Sequence, residues 1–356
     1  MRRGAALVAG MVAVLAGCSG RGTGDDGGSG TATTASPAEV RPALERAVEQ
    51  VLVPAYAALA DTARELAGLT ASLCAAPGEP SLAATLEAWR EARTAWRHVQ
   101  AVATGPIMDL RLMTTVDYAA DPDKVADLAA GTEPVDVAGL HEVGSDRRGL
   151  TAVELLLGPE GVLGGPGFAR RCTYAASAAE ISAQAAETVS AAWAAGGEGE
   201  PPYRDTILER PTQAEADLLN ELVFVLQAIA ERRLPTALGV DGDAPDVAAA
   251  DPGPLQRALP EMVEDLDGAL AVYDALIAPS VARVSTGAAT RVHDELAAAR
   301  RQLAALPVPL ATAVADEPEA TAAALEATTT ALRSLSTEVA SLLGATLTFS
   351  DADGDS

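Results

Sequence analysis

Aromatic residues and basic side chains are scarce in this 356-residue sequence. Phe, Trp and Tyr make up 3% of the residues, although hydrophobic residues make up 49%, so small aliphatic side chains must fill the core. Lys and Arg number 25 against 50 Asp and Glu, which gives a formal net charge of -25. Because so acidic a surface repels phosphate backbones, the composition argues against nucleic acid as a partner.

Histidines are equally few, and their spacing excludes one class of enzyme. His98, His141 and His293 are the only three, and none stands four residues from another as two zinc ligands on one helix would. A glycine-rich phosphate loop, a nucleophile elbow and a Cys-X-X-Cys pair are also missing from the sequence. The sequence therefore excludes a zinc peptidase of the HExxH type.

The N-terminal segment has the pattern of a bacterial lipoprotein signal. Two arginines precede an apolar stretch too short to span a bilayer, and Leu15-Ala16-Gly17-Cys18 follows as a small-residue cleavage site with a cysteine after it. We predict a signal peptide over residues 1–17, a lipid on Cys18 and a flexible Gly/Ser/Thr-rich linker over 18–37. The alternative is an ordinary secretory signal. Either way the protein is exported, and the lipid would anchor it to a membrane on the extracytoplasmic side of the cell envelope.

Two cysteines remain once Cys18 carries a lipid. Cys74 and Cys172 would lie outside the cytoplasm, where disulfides form and persist, so we predict that they pair. The alternative is two buried free thiols, and a metal site is disfavoured because no histidine stands at ligand spacing beside either cysteine.

Hydrophobic periodicity predicts an all-α fold. Apolar residues recur at three- and four-residue steps, and no segment shows the alternation of a strand. Helices are predicted over about 38–75, 81–104, 148–157, 168–195, 212–234, 254–277, 280–306 and 317–343, with Pro235 ending one of them. The expected architecture is two consecutive antiparallel helical bundles, 38–200 and 201–350, followed by an acidic tail over 351–356. Residues 107–144 are expected to form an irregular crossover.

Glu154 is the most unusual residue of the predicted helices, because it interrupts the apolar run from Leu150 to Leu157. A buried carboxylate must be paired, hydrogen-bonded, protonated or metal-bound. Thr151 lies one turn earlier on the same helix face. The other candidate binding residues are Gln100, Asp109 and Asp117 in the preceding helix and crossover. The alternative is a structural salt bridge from Glu154 to Arg93, Arg147 or Arg148.

The segment Gly149-Leu150-Thr151-Ala152-Val153-Glu154 and the apolar run after it resemble the Gly-x-His-x-x-Glu signature of the imelysin-like proteins, once classed as peptidases. The likeness extends over residues 38 to 355. It includes the Trp89 and Trp96 pair before Gly105-Pro106, the Arg171-Cys172-Thr173-Tyr174 helix start, the Arg232-Arg233-Leu234 helix end and the segment 343–355.

The resemblance implies an envelope protein of two helical bundles, associated with iron uptake in several members. It places the family glutamate on Glu154, the signature histidine on Thr151 and a frequent family acid on Gln100. Without the imidazole and that acid, the remaining oxygen donors suit calcium or a polar solute better than tightly held iron or zinc. Glu154 is then the candidate metal ligand, and His141 a substitute.

The leading hypothesis is a non-enzymatic, lipid-anchored binding protein for a cation or metal complex, with iron or calcium as the implied ion. Its other partners would be envelope transport proteins. One alternative is a metal-assisted peptidase or hydrolase with Glu154 as general base. Another is an interaction scaffold with a degenerate site.

Overall fold

The computed structural model describes residues 35–159, 161–197, 199–240 and 244–347, all within one compact unit. The regular elements of these residues are helices, and Asp117 and Gly149 form an isolated bridge, so the predicted all-α class is confirmed. Along this part of the chain, no helix has the length and apolar character needed to cross a membrane. The predicted signal peptide, Cys18, most of the predicted linker and the predicted acidic tail lie outside the described residues.

The N-terminal half contains three long helical elements and several short ones. Its α-helices are α1 Pro37–Ala47, α2 Val53–Ala75, α3 Glu79–Gln100, α4 Pro106–Asp109, α5 Met113–Val116, α6 Pro122–Ala130, α7 Val137–His141, α8 Leu150–Leu157 and α9 Phe168–Ala194. Short 3₁₀ turns occupy Ser145–Arg147 and Val162–Gly164. The short helices α4 to α7 occupy the stretch predicted as an irregular crossover.

The C-terminal half is built from shorter helices. These are α10 Tyr203–Thr206, α11 Pro211–Gln227, α12 Leu234–Leu238, α13 Val247–Ala250, α14 Ala258–Val272, α15 Ala278–Val284, α16 Thr286–Ala305, α17 Leu310–Asp316, α18 Pro318–Arg333 and α19 Ala340–Leu343, with a 3₁₀ turn at Ile207–Glu209. The helix α17 was not predicted, because its short apolar stretch lies directly after Pro309.

Segments of π-helix join several of these elements into longer helices. They cover Val48–Leu52, Ala228–Arg233, Tyr273–Ile277 and Ser334–Val339. The first three end two residues before Pro54, Pro235 and Pro279 respectively. Proline has no N–H to donate and its ring presses on the preceding turn, and the wider π-turn absorbs this defect without ending the helix. The prediction that Pro235 ends its helix is therefore wrong, since α12 continues to Leu238.

The long helices of the N-terminal half form one packed group. Helix α2 packs against both α3 and α9, and a disulfide between Cys74 and Cys172 links α2 to α9, which confirms the predicted pairing. Bridging residues about a hundred positions apart stabilises a fold by about 4 kcal/mol in chain-entropy estimates. Trp89 and Trp96 are both buried, as expected of core residues.

The two halves of the chain meet along several helices. Helix α3 packs on α14, and α1 packs on α11. The proposed boundary between two bundles, near residues 196–210, stays a prediction. These contacts bring α3, α8 and α14 together around a group of buried charges.

Candidate functional site

Arg93 on α3 lies at the centre of a buried group of charged side chains. It is 8% exposed, and its guanidinium carbon lies 5.9 Å from the centre of the Trp89 ring. Its Nε and Nη2 donate to Glu261 Oε1 at 3.0 and 2.7 Å, and its Nη1 donates to Asp117 Oδ2. One cation thus neutralises two carboxylates that come from the crossover and from α14.

Helix α14 contributes a second acidic residue one turn after Glu261. Asp265 is fully buried and accepts a hydrogen bond from Arg97, while Arg233 Nη2 donates to Glu261 Oε2 at 3.2 Å. Burial acts to raise the pKa of Glu261, but the charges of Arg93, Arg233 and Arg97 together hold that pKa at about 2. Glu261 is therefore ionised at any physiological pH.

Asp117 connects this charge group to the start of α8. Its Oδ1 accepts a hydrogen bond from the Thr151 backbone N–H at 2.7 Å, and Thr151 Oγ1 lies 3.5 Å from Arg93 Nη1. Gly149, at φ +89°, makes the contact possible, because a Cβ there would lie 2.9 Å from Asp117 Cα. Burial raises the pKa of Asp117 despite its contacts with Arg93 and Thr151.

Glu154 lies beside these ion pairs but is held differently. It is 5% exposed, and its Oε1 accepts a hydrogen bond from the backbone N–H of Leu255 at 3.0 Å. The segment 251–257, called here the cover loop, lies directly on the carboxylate, since a Cβ at Gly253 would be 2.2 Å from Oε1. Burial raises the pKa of Glu154 to about 7. Half of the Glu154 side chains are therefore protonated near neutral pH.

Two of the three arginines proposed as salt-bridge partners of Glu154 bind elsewhere, and the Nε of the third, Arg147, is buried without a hydrogen-bond partner in the described residues. Arg93 pairs with Asp117 and Glu261, and Arg148 Nη1 donates to the Leu140 carbonyl at 3.2 Å. In the described part of the chain, Glu154 has a backbone amide as its hydrogen-bond partner and no guanidinium within ion-pair distance.

The predicted site residues are only partly brought together. Asp117, Thr151 and Glu154 surround Arg93, as described above. Gln100 is half-buried on α3, seven residues and thus roughly 10 Å along the helix from Arg93. Asp109 is exposed at the end of α4, and His141 is exposed on α7. Burial of Tyr203 raises the pKa of its hydroxyl, and the charge of Asp109 raises it further. The assignment of these residues to a binding site stays a prediction.

Sequence reasoning missed the charges that the C-terminal half supplies. Glu261 and Asp265 lie four residues apart, and they fall within the apolar stripe that runs through Ala258, Met262 and Ala269. The residues Arg93 and Arg97 interrupt the tryptophan stripe of α3 in the same way. A charged residue inside an apolar stripe is the signal that could have identified all four residues, as it identifies Glu154.

The donors around Glu154 do not fit a bare iron or zinc ion. In the residues that the structure describes, no three side chains of His, Cys, Asp or Glu lie together so that they could hold a metal ion. Arg93 already occupies the space between Asp117 and Glu261 with its own positive charge. A cation bound at Glu154 would have to keep most of its own ligands.

The sequence profile of the imelysin family (Imelysin, Peptidase_M75) matches residues 52–339. The chain belongs to the imelysin family. A solved imelysin-like protein from Psychrobacter arcticum is similar in structure, with a TM-score of 0.72 and 18% identity, over 88% of this chain and 98% of the other. No curated protein matches this chain.

A second solved structure agrees with the assignment of fold. It is a Parabacteroides distasonis protein provisionally described as an iron-regulated protein A precursor, with a TM-score of 0.70 and 15% identity. The match covers 88% of this chain and 97% of the other. At such identities the likeness concerns the imelysin fold. The profile match nevertheless spans Arg93, Asp117, Glu154 and Glu261, so the buried charge group belongs to the imelysin region.

Proposed function

We propose that this imelysin family member is a lipid-anchored binding protein of the cell envelope that takes up a cation or a metal complex in the context of iron uptake. The lipobox around Cys18 supports the anchor and the export. The structural neighbour provisionally described as iron-regulated supports the link to iron. Glu154, at the position of the family glutamate, is the residue that would receive the cation.

The observation that carries this proposal is the incomplete neutralisation of Glu154. Asp117 and Glu261 are each paired with Arg93, whereas Glu154 is buried against a neutral backbone amide and has a pKa of about 7. A carboxylate in this state is stabilised by any positive charge that can reach it, either a proton or a cation. The cover loop must release the Leu255 hydrogen bond for a cation to enter.

Competition between the proton and the cation gives the proposal a measurable consequence. Between pH 6 and pH 8 the ionised fraction of a group with a pKa of about 7 rises about tenfold, so the affinity for the cation should rise about tenfold. We expect this increase from calorimetric titration of the full-length protein with calcium and ferrous ion at the two pH values. Ferric citrate tests the case of an ion that keeps ligands of its own; because this complex carries net negative charge, Glu154 would have to replace a citrate carboxylate on the iron.

Two variants make the experiment specific. Glu154→Gln removes the charge with little change in shape and should abolish the pH-dependent binding. Glu142→Gln is the matched control, because Glu142 is an exposed glutamate of the crossover and is not among the buried charges around Glu154. Equal binding by wild type and Glu154→Gln, or no binding of any of the three probes, would contradict the proposal.

The scaffold hypothesis has one observation in its favour. The Arg93, Asp117 and Glu261 group is a satisfied buried network, which can hold two halves of a chain in register without any ligand. If this is its role, all three titrations stay flat, and pull-down of an envelope transport protein becomes the readout of function.

A further inference from the structure

A separate cavity of about 620 Å³ lies on another face of α3. It is bounded by the continuous helix of α1, the first π-segment and α2 on one side and by α14 on the other. This volume is in the range of roughly 300–1,000 Å³ that small-molecule sites have. Among the residues that line it, none belongs to the Glu154 group described above.

The cavity has an apolar floor because small and aliphatic residues face each other there. Val51, Pro54 and Ala55 line it from the first long helix, and Ala95 and Ala271 line it from α3 and α14. Short side chains on neighbouring helices leave space between the helix axes that larger residues would fill. The polar residues of the wall come mainly from one face of α3 and from the cover loop.

Arg257, at the end of the cover loop, is the distinctive polar residue of the wall. Its Nε is buried and has no hydrogen-bond partner in the described part of the chain. Burial lowers the pKa of Arg257, which means that water no longer fully solvates the guanidinium. The preceding residue, Gln256, has φ +51°, a left-handed conformation that is uncommon outside glycine.

The other arginine of the wall and its histidine already have partners. Arg90 Nη1 donates to Glu87 Oε2 at 2.8 Å, and His98 Nδ1 lies 3.4 Å from Glu264 Oε2. Glu91 is exposed at the rim. Arg257 is thus the cation of this wall that can form a new ion pair without breaking an existing one.

From this arrangement we infer that the cavity binds a small organic anion, with an apolar or aromatic body on the alanine-rich floor and a carboxylate against Arg257. A guanidinium recognises a carboxylate through two parallel hydrogen bonds, and the partly dry wall strengthens that pair. The negative charge of the whole protein acts weakly on the ligand, because salt at 0.1 M screens charges beyond about 10 Å. This inference is independent of cation binding at Glu154.

The test uses 2-naphthoate and its uncharged analogue 2-naphthalenemethanol as probes of the full-length protein. We expect naphthoate to bind more tightly than the alcohol in a calorimetric titration. Arg257→Met should weaken naphthoate binding by about tenfold or more and leave the alcohol unchanged, since a charge-assisted pair is lost while the floor remains. Arg257→Lys should keep part of the preference for naphthoate.

Further variants separate the floor from the charge. Ala55→Leu places a larger side chain in the cavity and should weaken both probes. Arg301→Met is the matched control, because Arg301 is exposed on α16 away from the cavity, and it should change neither affinity. Circular dichroism of each variant verifies folding. The inference is overturned if naphthoate does not bind, if it binds no more tightly than the alcohol, or if Arg257→Met leaves its affinity unchanged.

Discussion

The charged residues on two faces of helix α3 have different surroundings. On one face, Arg93 and Arg97 reach Glu261 and Asp265 of α14 and form ion pairs in a dry, densely packed contact. On the other, Arg90 lies beside a cavity, paired with the exposed residue Glu87. The same two helices therefore pack tightly where opposite charges are matched and leave space where small residues meet.

The difference indicates that the ion-paired face stabilises the fold and that the cavity face has space for a ligand. Breaking a buried ion pair costs several kcal/mol of free energy, because the remaining charge is left unpaired where water cannot solvate it. Charges beside a cavity can exchange water for a ligand. The motif residue Glu154 lies near the matched charges but has no ion-pair partner in the described residues, and burial raises its pKa to about 7.

The largest effect is expected from the same substitution made on the two faces of α3. Arg93→Leu leaves Asp117 buried without its cation and leaves Glu261 with Arg233 as its remaining ion-pair partner, and it should lower the free energy of unfolding by about 3–5 kcal/mol. Arg90→Leu, one turn earlier, breaks only an exposed pair and should cost about 0.5 kcal/mol or less. Chemical denaturation of both variants at pH 7 measures the difference. Equal losses would mean that the two faces contribute alike.

A smaller effect, which depends on pH, is expected at Glu154. Its pKa rises from 4.5 in the unfolded chain to about 7 in the fold, so the folded protein holds a proton that the unfolded chain has released. This contribution to stability is full below pH 4.5 and is lost as the pH rises through 7. Relative to wild type, Glu154→Gln should therefore gain on the order of 3 kcal/mol between pH 4.5 and pH 8.

Denaturation curves of the two proteins across this pH range measure that gain. Glu221, whose pKa burial raises to about 7, is present in both proteins, so its contribution cancels in the difference. A stability difference that does not change with pH would show that Glu154 is already ionised in the fold at low pH.

The smallest effect is expected on the cavity face. Arg257→Met removes a guanidinium whose buried Nε has no hydrogen-bond partner in the described residues, so the free energy of unfolding should change by less than about 0.5 kcal/mol. Thermal denaturation measures it beside the binding assay. A loss as large as that of Arg93→Leu would place Arg257 among the residues that support the fold.

Local patterns were sufficient for much of the fold. The apolar periodicity of α2, α3 and α9 predicts their helices, and the expectation of export leads to the prediction of the Cys74 to Cys172 pair, which the structure contains. The effect of Pro235 on its helix could not be predicted in this way, because the π-helical segment that accommodates this proline has no recognisable sequence pattern. A proline, which usually ends a helix, can lie inside one when the preceding turn is π-helical.

The candidate site was predictable only in part. Glu154 could be identified as unusual from its own helix, and Asp117 from the crossover. The pairing of Arg93 with Glu261 joins residues 168 positions apart, and the packing of α3 on α14 decides it. Likewise, the hydrogen bond from Leu255 to Glu154 depends on where the cover loop crosses α8. Such partners are set by tertiary contact, which periodicity does not encode.

The cover loop carries the hydrogen-bond donor of one candidate site and the cation of the other within three residues. Leu255 holds Glu154, and Arg257 lines the cavity. If a ligand at Arg257 shifts this segment, it also changes the Leu255 hydrogen bond, and thermodynamic reciprocity then requires that a cation at Glu154 changes the affinity of the cavity for that ligand by the same factor. A proton on Glu154 would act in the same way, so the pH would also change the affinity of the cavity.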